Sequence, residues 1–81
     1  MPGSSQSLTS LKVGGRGVVT SIDVPSEHRG RLLEMGLLVG TPVELVRFAP
    51  LGDPVEIKVR GYYLSLRKLD AEQIWVRPAS A

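Results

Sequence analysis

Eighty-one residues fit one domain. The absence of cysteine excludes disulfide scaffolds, thiolate zinc sites, iron–sulfur clusters and cysteine nucleophiles. Ten Lys and Arg against eight Asp and Glu give a net charge of +2. The acids are interleaved with the bases (Glu44 with Arg47, Glu56 with Lys58, Asp70 with Lys68), so the clustered basic face that nucleic acid needs is not expected.

An apolar fraction of 42% with 22% charged residues is that of a globular chain. No apolar run approaches the roughly 20 residues of a membrane span. The start, MPGSSQSLTS, lacks the basic and apolar stretches of a signal peptide, so a soluble, cytoplasmic protein without membrane insertion is expected.

Along the chain, residues 1–7 are small and polar and read as a flexible tail. Leu8 and Leu11 open the apolar pattern, and Gly14-Gly15 breaks it. Arg16 to Ile22 alternates with period two, Val18, Thr20 and Ile22 against Val19 and Ser21, which predicts a strand. Ser26 is placed to cap a helix running from Glu27 to Met35, with Arg29 and Arg31 facing water and Gly36 ending it in a left-handed cap. Gly30 inside so short a helix costs about 1 kcal/mol against alanine, so packing must hold it.

Three further strands are expected at Pro42 to Phe48, Pro54 to Arg60 and Tyr62 to Leu66. Val43 and Leu45 oppose Glu44, Val46 and Phe48 in the first, and Val55, Ile57 and Val59 oppose charged partners in the second. The turn-rich segment Ala49 to Asp53 joins these two, and Gly61 reverses the chain into the third. A turn or single 3₁₀ helix over Lys68 to Gln73 leads to a last strand, Ile74 to Arg77, before a short tail at 78–81. Five short strands with one helix inserted after the first predict a mostly-β domain over 8–77, a small SH3-like barrel. An OB-fold is the rival, but its helix falls between the third and fourth strands.

Candidate chemistry is sparse. His28 is the one histidine, and no nearby carboxylate stands three or four positions from it, so an exposed helical histidine is expected. As a metal ligand it would draw on neighbours such as Glu27, holding Fe²⁺ or Zn²⁺ weakly. Gly14, Gly15 and Gly17 precede a strand and so do not form a dinucleotide fingerprint. Asp70 and Glu72 are read as turn caps, and Trp75 and Tyr62 as filling or covering the barrel. With no nucleophile–base pair or carboxylate pair, catalysis is not expected. The helix, the Leu37-Leu38-Val39 turn and the hairpin tip suit recognition.

Several blocks then occur in a telling order: Gly17-Val18-Val19, Arg31 to Leu37, Gly40 to Val43, Ala49 to Ile57 and Gly61 to Arg67. Together they resemble the FeoA family over about residues 8 to 77. The resemblance implies an SH3-like barrel assisting bacterial ferrous iron uptake by binding the cytosolic part of the FeoB permease, which carries a GTPase domain. Arg31, Glu34 and Arg67 are the charged members of those blocks, and Arg29, Arg31, Leu51 and Arg67 are taken as partner-contact candidates. The alternative is direct binding of Fe²⁺ by His28 and Glu27, as a carrier or sensor. A weak C2 homodimer is compatible with such a barrel.

Overall fold

In the computed structural model, which describes residues 5–79, the faultless alternation of Val55, Ile57 and Val59 with Glu56 and Lys58 becomes a strand with its apolar set wholly buried. The chain runs β1 (Gln6–Ser7), a 3₁₀ turn (Leu8–Ser10), β2 (Arg16–Ile22), α1 (Ser26–Glu34), β3 (Pro42–Phe48), β4 (Val55–Val59), β5 (Tyr62–Leu66), α2 (Lys68–Glu72) and β6 (Ile74–Pro78). The strands form one sheet in the order β1-β6-β2-β3-β4-β5, every pair antiparallel. Its concave side encloses Leu8, Leu37, Leu45, Val55, Ile57, Ile74 and Val76. Each such Leu, Ile or Val stabilises the fold by about 1.5–3 kcal/mol. The expected mostly-β, SH3-like architecture is therefore present, with a sixth two-residue strand and a second helix added to it.

Two strands depart from simple alternation, for the same reason. In β2 the pairing with β6 shifts between Val19 and Ser21, so a bulge at Thr20 puts Val19 and Ile22 into the core together. The expected face of Val18, Thr20 and Ile22 is thus split. In β3 the pairing shifts between Leu45 and Arg47, and Phe48 moves from the expected Glu44 side to pack against the core opposite Val55. Bulges bend a strand and raise its twist, which lets so short a sheet wrap around its own core.

Other expectations are also corrected. Ser26 is the first residue of α1, not its cap; Pro25 holds the capping position without a side-chain hydrogen bond. Lys68–Glu72 is a short α-helix in place of the expected turn or single 3₁₀ helix. Trp75 lies between buried Ile74 and Val76 and so points away from the core, half-buried. Tyr62 keeps a rim position, its hydroxyl donating to the Met35 carbonyl. Of the expected tail at 1–7, residues 1–4 lie outside the described residues, and Gln6–Ser7 pair with Val76 and Trp75. At the other end Ala79 N–H donates to the Arg16 carbonyl at 2.9 Å, and residues 80–81 lie outside the described residues.

The β4–β5 connection is a two-residue loop with φ of 50° at Arg60 and 89° at Gly61, the positive pair that a type I′ hairpin requires. It sets Val59 opposite Tyr62 and, by alternation, Ile57 opposite Leu64 and Val55 opposite Leu66.

Candidate partner-binding site

α1 is nine residues long and would not persist alone. Four attachments hold it. Leu32 is buried in the core, and Arg29 donates from its guanidinium to the Ile22 carbonyl at 3.1 Å. His28 Nδ1 lies 2.9 Å from Asp70 Oδ1 of α2, and beyond the helix Tyr62 bonds the Met35 carbonyl. The helix stops at Gly36, whose φ of +91° suits glycine and whose missing side chain leaves room for the Tyr62 hydroxyl.

α2 follows β5 directly. Its first amide, Lys68 N–H, donates to Asp53 Oδ1 at 3.0 Å, so an acid from the β3–β4 hairpin caps a helix fifteen residues further on. The same contact holds the hairpin tip, with fully exposed Leu51, beside the start of α2.

Between α1, the end of β5 and the start of α2 lies a groove of about 180 Å³. Leu32 and Leu66 form its floor, and His28, Arg31, Arg67 and Asp70 its rim. Two of the four partner-contact candidates, Arg31 and Arg67, therefore meet at one place. Arg29 does not join them, being tied to the β2 backbone, and Leu51 stands at the neighbouring hairpin tip. Among the described residues neither Arg31 nor Arg67 forms an ion pair.

His28 is half-buried rather than fully solvated, and its partner is a carboxylate 42 positions away, beyond the reach of helical spacing. An ionised carboxylate only accepts, so Nδ1–H donates to Asp70 and Nε2 is the ring nitrogen left for another contact. Glu27 Oε1 is 4.0 Å from that Nε2. Asp70 thus orients the ring instead of capping a turn. Among the described residues no group of three or more His, Asp or Glu is arranged to hold a metal ion. Asp70 and Asp53 carried no local signal: each acts on an element distant in sequence.

A second, wider groove of about 290 Å³ lies across β2, β3 and the β4–β5 turn, bordered by Arg16, Glu44, Lys58 and Arg60.

Compared with known proteins, the FeoA domain model matches residues 6–78. A Fe(2+) transport protein A/Fe(2+) transporter FeoB fusion protein from Porphyromonas gingivalis is 36% identical over 74 residues, which is 91% of this chain and 9% of that protein. The chain belongs to the FeoA family. The FeoA protein of Chlorobium tepidum superposes with a TM-score of 0.88 at 40% identity, over 93% of this chain and 71% of that one. FeoA of Stenotrophomonas maltophilia, complexed with zinc and described as a prokaryotic SH3-domain protein, superposes with a TM-score of 0.73 at 28% identity, over 88% of each chain. The resemblance read from the ordered blocks is confirmed, and with it the SH3-like fold. The chain spans about a tenth of the curated fusion relative.

Proposed function

We propose that this chain is a non-catalytic accessory module of bacterial ferrous iron uptake that acts in the cytoplasm by binding the cytosolic part of a FeoB-type permease. One observation carries the proposal: in the Porphyromonas gingivalis relative the matching segment belongs to a single polypeptide with FeoB. Two proteins that occur as one chain in a relative are held at high effective concentration there, an arrangement suited to partners that act together. The Stenotrophomonas maltophilia relative is described as a candidate activating factor of ferrous iron transport, which points the same way. Contact is assigned to Arg31 and Arg67 at the α1–β5–α2 groove, with Leu51 beside it.

The test is titration of this protein into the purified cytosolic GTPase-containing part of the permease, with and without GTP and Fe²⁺. Saturable binding is the expected result; no binding under any of the four conditions would overturn the reading.

A second reading, weak binding of a divalent metal by His28 and Glu27, is favoured by the imidazole that Asp70 orients and by the zinc bound to the Stenotrophomonas maltophilia relative. Two ligands make a poor site, so any affinity is expected to be weak. Anaerobic calorimetry with Fe²⁺ separates the readings: heat that vanishes in His28→Ala would support metal binding, and no heat would dismiss it.

A further inference from the structure

We infer that the groove between α1, β5 and α2 receives an acidic peptide segment of the protein partner, seating one of its carboxylates between Arg31 and Arg67. The inference rests on the partner-binding reading above and specifies the chemistry of what is bound.

Charge is the first observation. Arg31 reaches the groove from α1 and Arg67 from the junction of β5 and α2, and neither has an acidic partner among the described residues. The one acid on the rim, Asp70, is engaged by His28 at 2.9 Å. Two arginines therefore line one small groove with no acidic partner for either fork-shaped guanidinium, a pairing that a planar carboxylate would satisfy.

Backbone is the second. β5 ends the sheet, and its hairpin closes on the Val59–Tyr62 pair. In an antiparallel ladder, hydrogen-bonded and non-bonded pairs alternate, so Tyr62, Leu64 and Leu66 bond to β4 while the amides and carbonyls of Tyr63 and Ser65 point away from it. Among the described residues nothing else bonds these outward groups. Ser65 lies on the groove wall, so an extended peptide finds a backbone donor and acceptor next to the two cations.

The apolar floor is the third. Leu32 and Leu66 exclude water from beneath the site, which strengthens charge-assisted hydrogen bonds made above them. A volume of about 180 Å³ holds one side chain and not a folded element. The occupant is therefore a single acidic residue carried on an extended strand.

The experiment uses the full chain, ¹⁵N-labelled, and a probe octapeptide of alternating Glu and Val, with the matching Gln–Val peptide as control. Saturable amide shifts at Arg31, Ser65 and Arg67 with the Glu peptide, absent with the Gln peptide, are expected. Arg31→Gln with Arg67→Gln should weaken binding about tenfold or more. Arg60→Gln, in the wider groove, should leave it unchanged. Thermal melts of each variant confirm that the fold is intact. Equal shifts with both peptides, shifts centred on Arg16 and Arg60, or no shifts would each overturn the inference. So would inorganic phosphate competing at millimolar concentration with the same residue pattern, because the site would then be one for small anions. Permease binding that survives Arg31→Gln with Arg67→Gln would sink the inference alone. Loss of all permease binding by the unaltered chain, with peptide binding intact, would sink the partner reading alone.

Discussion

The two grooves of this barrel differ in a way that their sizes conceal. The wider one lies on the outer face of β2 and β3, central strands with a neighbour on each side. Arg16 there stands 3.7 Å from Glu44, and Lys58 lies 5.7 Å from the centre of the Tyr63 ring. The narrower one sits against a strand that ends the sheet, over core residues, with two guanidiniums unmatched. Arg60 in the wide groove also lacks an acidic partner among the described residues, so what sets the smaller groove apart is a pair of unmatched arginines beside an open strand edge, and volume is a poor guide to it.

That contrast is broken first by attacking the floors. Leu32 is buried beneath the small groove, whereas Val18, bordering the wide one, is only half-buried. Leu32→Ala should cost about 2–5 kcal/mol in urea unfolding, and Val18→Ala clearly less. Equal costs would mean that the small groove is not built on the core. Next in size is Gly36→Ala. A left-handed backbone costs a non-glycine residue about 1–2 kcal/mol, and the new Cβ would displace the Tyr62 hydroxyl from the Met35 carbonyl, worth about 1 more. The loss should appear in the melting temperature. Gly30→Ala, where a Cβ meets open space inside the helix, should instead raise it, and a Gly36→Ala variant that melts no lower than the unaltered chain would deny α1 its anchor on β5.

How much of this was legible in the sequence follows from the range of each interaction. β4 declared itself because alternation is local and its burial is unbroken from Val55 to Val59. The ends of β2 and β3 follow from the pattern to the residue and so does the Val43–Leu45 face, but the inward turn of Val19 and Phe48 does not, because a bulge inserts one residue and inverts the faces beyond it without leaving a mark in composition. The site was less legible than the fold. Arg31 and Arg67 stand in separate blocks of the sequence, and only the packing of α1 beside the β5–α2 junction unites them. The neighbours of Asp70 suggest a cap, but its partner, His28, comes from a helix folded against it. Asp53 caps α2 from another hairpin for the same reason. Short-range rules cannot anticipate a bond whose two ends are brought together by the sheet.

Those long-range bonds sharpen the comparison at an intermediate scale. Asp53→Ala removes the acceptor of Lys68 N–H and should destabilise the fold by about 0.5–2 kcal/mol, read by thermal unfolding. Asp53→Asn should recover most of it, since an amide oxygen also caps; no recovery would assign the loss to something other than the cap. A double-mutant cycle with His28→Ala and Asp70→Ala should give a coupling of about 0.5–1.5 kcal/mol, because the pair is hydrogen-bonded and Asp70 is mostly buried. A coupling near zero would detach α1 from α2 and leave the rim of the small groove without a fixed shape.

The smallest effect belongs to the wide groove. Arg16 and Glu44 approach to 3.7 Å with the arginine side chain 75% exposed, so solvent screens the pair and two long side chains must be ordered to form it. A cycle with Arg16→Gln and Glu44→Gln should therefore couple by about 0.5 kcal/mol or less, and salt should reduce even that. The distinction between the grooves depends on this weakness. A coupling above about 1 kcal/mol would show the wide groove to be electrostatically organised, with a rigid cation of its own. It would then compete on equal terms for an acidic partner, and the unmatched arginine pair would no longer separate the two sites.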